Sequence, residues 1–157
     1  MIVPPPSRQA LATSVACGLL LPATLACGSS KPLSHDQFVQ RGNATCKKAN
    51  DEVTKLKRPT SPTEVQAFLE RTSALGKTQI DELAALKPSE ADAKGLNRFV
   101  ADQRMALAKL DELKTAVQRR DRARVQAIGQ EVSSIPSNAD ANAIGLTECS
   151  RTVRPQG

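Results

Sequence analysis

From residue 34 onward the sequence is cut into segments by helix start and stop signals, and this punctuation constrains the fold more than any other feature. Ser34-His35-Asp36-Gln37 has the form of a capping box. In that motif the serine hydroxyl accepts from a backbone N–H in the first turn, while the Gln or Glu side chain accepts from the serine N–H. Ser61-Pro62-Thr63-Glu64 repeats the pattern and adds proline in the first turn, where a missing N–H breaks no hydrogen bond. Ser89 and Asp121 are further cap candidates, and Pro59, Pro88 and Pro136 are stops.

Between these marks apolar or small residues recur in steps of three and four, the period of a helix with one buried face. The first segment carries Phe38, Gly42, Cys46, Ala49, Val53 and Leu56; the second carries Val65, Phe68, Leu69, Thr72, Leu75, Ile80, Leu83 and Leu86. The third, the most regular, has Leu96, Phe99, Val100, Leu107, Leu110, Leu113 and Val117, and the fourth has Val125, Ile128, Val132 and Ile135. After Pro136 a short piece over 137–144 runs to Gly145, suited to a left-handed stop. Short connections make sequential helices antiparallel neighbours, and no segment reads as a strand. The expectation is an all-α, up-down bundle of about four helices.

The beginning of the chain reads as an address. Arg8 is the one charge before Leu11, and residues 11–26 are uncharged and dominated by Leu, Val and Ala, with Pro22 interrupting. A cationic start followed by a short apolar run is the pattern of a secretory signal peptide. It is too short and broken for a spanning helix, which needs about 20 apolar residues. Ala23-Thr24-Leu25-Ala26-Cys27 with Gly28-Ser29-Ser30 after it resembles a bacterial lipobox, whose cysteine receives a diacylglycerol and becomes the first mature residue; Thr24 stands where such boxes favour Leu. Ordinary cleavage after Ala26 is the alternative, leaving Cys27 as a thiol. Cys17 has too little apolar sequence before it for a second box and is expected to be discarded. The expected organisation is a signal peptide over 1–26, a lipidated tether over 27–33, a bundle over 34–150 and a disordered tail over 151–157.

With three Phe and no Trp or Tyr, the core must come mainly from Leu, Val, Ile and Ala, and a core of that kind gains from a covalent staple. Export leaves Cys46 and Cys149 in an oxidising compartment, where a single pair reads as a disulfide. A metal or redox pair fits poorly: there is no C-x-x-C, and His35 is the sole histidine to complete a structural zinc site. The first helix, SHDQFVQRGNATCKKANDEV, together with AIGLTECS near the end, resembles small exported actinobacterial proteins, many of them lipoproteins, with an early helix cysteine and a closing Gly-Leu-x-x-Cys. The resemblance covers about residues 34–150 and implies a fold and an address, not a reaction.

No constellation of residues supports catalysis, and no cofactor is expected. Ser34, His35 and Asp36 are the residue types of a hydrolase triad, but neighbours at a helix start point apart, whereas a relay recruits groups from separate parts of a fold. Inward E-x-x-H pairs for a metal are missing, and the eight glycines are dispersed rather than grouped into a phosphate loop. The densest charge feature is QRRDRAR at 118–124. Arg119, Arg120, Arg122 and Arg124 form a candidate anion site for lipid phosphates, wall polymers or an acidic partner; the simpler reading is that they complement a helix C-terminus and solvate a turn. Lys47, Lys48, Lys55, Lys57 and Arg58 form a second basic group. Nucleic acid is not an expected partner, because both charge signs are interspersed and no aromatic platform exists for stacking. The expected function is a non-catalytic binding or structural module, held by Cys27 on the outer face of the cytoplasmic membrane, with an envelope protein or lipid as possible partner. The rival is a carrier of a lipid or other apolar ligand between helices loosened at Gly76 and Pro136.

Overall fold

The computed structural model describes residues 31–156; Cys17, Cys27 and the expected signal peptide lie outside the described residues. The chain forms α1 (His35–Thr54), α2 (Pro62–Ala84), α3 (Glu90–Gln118), α4 (Arg122–Ser133) and the short α5 (Ser137–Ala143). Both capping boxes form: Ser34 accepts from Gln37 N while Gln37 accepts from Ser34 N, and Ser61 and Glu64 do the same. Asp121 accepts from Arg124 N at 2.9 Å and starts α4. Ser89 departs from expectation. It occupies the N-cap of α3 without a side-chain cap bond, because its hydroxyl donates to the Asp92 carboxylate at 3.0 Å, a stronger acceptor than it would be a cap.

The helices pack as the short connections require, α1 on α2, α2 on α3, and both α4 and α5 on α3. Pro136 divides the fourth limb, and α5 resumes it. The result is the expected all-α, up-down bundle tied by one disulfide. Its core is lopsided. Phe38, Cys46, Ile80, Leu83, Leu96, Phe99, Val100, Ala141, Ile144 and Leu146 form one buried cluster, at the end where α1 and α3 begin, α2 finishes and α5 lies. Toward the other end Leu107, Leu110, Leu113 and Val117 are only half-buried. Val132, expected to point inward, is 38% exposed. It lies in the last turn of α4, which docks on α3 mainly through Ile128, and that contact leaves the turn uncovered.

Two glycines explain how α5 and the segment after it sit so close. A Cβ on Gly42 of α1 would lie 2.5 Å from Leu146 Cδ2, and one on Gly95 of α3 would collide with Ile144 Cγ2. Ile144 and Leu146 thus fill notches that only glycine leaves open. Gly76 makes no notch, since a Cβ there would meet Leu107 at an ordinary 3.6 Å.

The closing segment is locked to α1 by polar and covalent bonds. Asn43 donates to Gly145 O at 3.0 Å and accepts from Glu148 N at 2.8 Å, and Asn50 donates to Glu148 O at 2.8 Å. Between them on the same helical face, Cys46 bonds Cys149, with Cα atoms 5.0 Å apart across a sequence separation of 103. Near the end of the described residues, Gln156 N donates to Leu56 O and Gln156 O accepts from Arg58 N. The tail takes this course because the disulfide delivers it to α1, beside whose end the backbone of Leu56 and Arg58 is free to pair.

Candidate functional site

Lys31 enters at the core end, where Leu33 N donates to Lys87 O at 2.8 Å. At the opposite end, about 30 Å away along the 20 residues of α1, the α1–α2 turn faces the α3–α4 turn. A cleft of about 970 Å3 opens there, lined by Pro59, Pro62, Val65, Ala116, Val117 and Val125 among apolar groups, with Arg120 and Arg122 at its rim. A shallower groove of about 520 Å3 adjoins it through Pro59 and Thr60 and is edged by Lys57, Arg58 and Arg71.

The α3–α4 turn shapes this site. Arg120 N donates to Val117 O and Asp121 N donates to Ala116 O at 2.9 Å, the two bonds of a Schellman stop, with Arg120 at the left-handed position, φ 56°. The same bonds close α5, where Gly145 holds that position at φ 78°. An arginine there costs about 1 to 2 kcal/mol relative to a right-handed conformation. What it gains is direction: the side chain stands at the mouth of the cleft.

Arg124 belongs to a different structure. It pairs with Glu131 at 2.6 Å and with Glu112, and Lys109 reaches the same two carboxylates at 2.8 Å. These four residues clamp α4 onto α3 where apolar burial is thin. Hydrogen bonds from Lys109, then Arg124, hold both carboxyls below the usual range, and the two carboxylates in turn raise Arg124 and Lys109. The four arginines singled out by sequence therefore do not converge. Arg120 and Arg122 edge the large cleft, whereas Arg119 lies with Arg124, Glu112 and Asp121 around a small one on the other side of the turn.

Of the second basic group, Lys47 pairs with Asp51, Lys48 with Glu82 and Lys55 with Glu52. Lys57 and Arg58 lie at the cleft end and, like Arg71, Arg119, Arg120 and Arg122, have no ion-pair partner among the described residues. Neither Gly76 nor Pro136 lines any of these three clefts.

The Ser34-His35-Asp36 triplet does not assemble. His35 Nδ1 sits 2.9 Å from Asp92, and Ser89 donates to the same carboxylate, so the serine is on the acid and not on the imidazole, the wrong order for a proton relay. This cluster joins the starts of α1 and α3. A second carboxyl cluster lies between α3 and α5: burial, then Asp140, pushes Asp102 up, and its Oδ2 has no hydrogen-bond partner among the described residues. Among the described residues no group of three or more His, Cys, Asp or Glu is placed to hold a metal, and no helix is long and apolar enough to cross a membrane. No protein-family model, curated protein or solved structure matches the chain.

Sequence reasoning missed the cleft because its two walls are far apart in the chain. The signal that would have found it is topological. In an up-down bundle the ends of the first and third helices share one side, so the basic groups at 55–58 and 119–122 meet.

Proposed function

We propose that this chain is a non-catalytic, extracytoplasmic binding or structural module, anchored through a diacylglycerol on Cys27. The observation supporting this reading is the Cys46–Cys149 bond, which belongs to an oxidising compartment and agrees with the leader and lipobox-like sequence around Cys27. The resemblance to small exported actinobacterial lipoproteins points the same way. The bundle itself has two unlike ends, with Leu33 at one and the cleft at the other. Its test is membrane fractionation of cells making the natural chain or Cys27→Ala. The natural chain should pellet with membranes and the variant should appear in the soluble extracytoplasmic fraction with its disulfide intact. A variant that still pellets would sink the lipid anchor.

The carrier is the second reading, and the size of the cleft favours it, since about 970 Å3 falls within the range of small-molecule sites. Native mass spectrometry of chain purified from its own membranes separates the two. A carrier would fly with a bound lipid; a scaffold would fly alone.

A further inference from the structure

We infer that the cleft end of the bundle is a docking site for an acidic peptide segment of another extracytoplasmic protein, one that carries apolar anchor residues between its carboxylates. This deepens the reading of the chain as a binding module and rests on it. Three features lead to the occupant. The floor, made by Pro59, Pro62, Val65, Ala116, Val117 and Val125, is apolar and open, able to take aliphatic side chains but too broad for one small anion. The rim is mostly cationic: Arg120 and Arg122 edge the cleft and Arg58 and Arg71 the adjoining groove, while the acids there, Asp121 and Glu64, are engaged in capping helices, and the four arginines, from three separate segments, have no carboxylate within ion-pair distance among the described residues. By contrast Arg124 and Lys109, a few residues away, are fully matched by Glu112 and Glu131. The bases that clamp α4 onto α3 are thus matched and those edging the cleft are not, as is also true of Arg41, Lys87, Lys94 and Arg104 elsewhere on the described surface.

The third feature is Arg120 itself. The fold stops α5 with Gly145 at the left-handed position and stops α3 with Arg120 at the same position, against the ordinary conformational preference. A guanidinium held at the cleft mouth is the reason such a substitution is tolerated, because its planar fork pairs a carboxylate bidentately. A glycan polymer fits less well: it is usually gripped by several exposed aromatic faces, and here Phe38 and Phe99 are fully buried and Phe68, at the adjoining groove, is half-buried.

The test is selection from a displayed library of random twelve-residue peptides on the immobilised full chain, followed by titration of the selected peptides. The expected consensus combines several Asp or Glu with two or more of Leu, Ile, Val or Phe. Binding should weaken about tenfold with Arg122→Ala and with Arg120→Gly, the loss of one charge-assisted contact, and stay unchanged with Lys94→Ala at the other end. Arg120→Gly also removes backbone strain, so weaker binding by a variant that melts no lower cannot be blamed on unfolding. The idea is overturned by a consensus lacking acids, by no enrichment, or by equal binding to the arginine variants. Arginine-dependent binding of phosphatidylglycerol vesicles that no selected peptide can displace would overturn it too, by making the occupant a membrane. Because purified chain is used, a negative outcome here leaves the Cys27 anchor standing, and a failed anchor leaves peptide binding intact.

Discussion

Single residues decide how this lean core closes. Gly145 and Arg120 occupy the same place in two Schellman stops, so their substitutions should move stability in opposite directions. Arg120→Gly should raise the melting temperature, by about 1 kcal/mol of relieved strain. Gly145→Ala should lower it by a similar amount or more, since the new Cβ would also press on Val39 Cγ2 at 3.0 Å. Thermal melts followed by circular dichroism read both. Asp102 supplies a pH signature. Burial and Asp140 raise its carboxyl above the unfolded value of about 3.9. Its stabilising contribution is therefore complete below that value and is lost as pH rises through the folded one. Asp102→Asn should melt higher than the natural chain at pH 7, and the two should converge near pH 3. A variant that melts lower at pH 7 would show that the ionised carboxylate is wanted there.

At the scale of elements, α1 and α4 are held by different physics, and this difference separates what the sequence disclosed from what it hid. The stripes of α1, α2 and the first half of α3 were legible because apolar residues at helical period have one stable destination: Phe38, Cys46, Ile80, Leu83, Leu96 and Phe99 all reach the core. Val132 misled because period alone does not say how many neighbours a helix has, and α4 docks on α3 with Ile128 as its buried residue. Asn43 and Asn50 were illegible for the opposite reason. As polar residues they read as solvated, yet they share the Cys46 face and hold the backbone of residues 145–148.

The α3–α4 clamp behaves as charge-dependent packing must. Lys109 and Arg124 depress Glu112 and Glu131, so the clamp stabilises above the unfolded carboxyl value of about 4.3 and is lost as pH falls through the lower folded values. Glu131→Gln should expose the amides of α4 to faster hydrogen exchange at pH 7 while leaving α1 and α2 protected. Equal protection in both proteins would mean that Ile128 alone suffices. Gly129, by contrast, faces open space on α4, so Gly129→Ala should stabilise by about 1 kcal/mol through helix propensity. The same change at Gly42 should destabilise, because Leu146 already fills the space.

The molecule as a whole has two unlike ends. One holds the core, the entering chain and the closing segment; the other has thin packing, an apolar-floored cleft and unmatched arginines. The Cys46–Cys149 bond sets where stability resides, since it ties to α1 a residue 103 positions further along the chain. In the chain-entropy model such a bond is worth about 4 to 5 kcal/mol. Cys46→Ser should therefore lower the melting temperature by on the order of 15 °C and release the segment that Asn43 and Asn50 hold. The account joins this bond to one address, and both can be read together by peptide mapping, without reduction, of chain extracted from its native membranes. It predicts an N-terminus at Cys27 bearing a diacylglycerol and one crosslinked fragment containing Cys46 and Cys149. Free thiols at those two positions, or a mature chain that begins elsewhere without lipid, would contradict it.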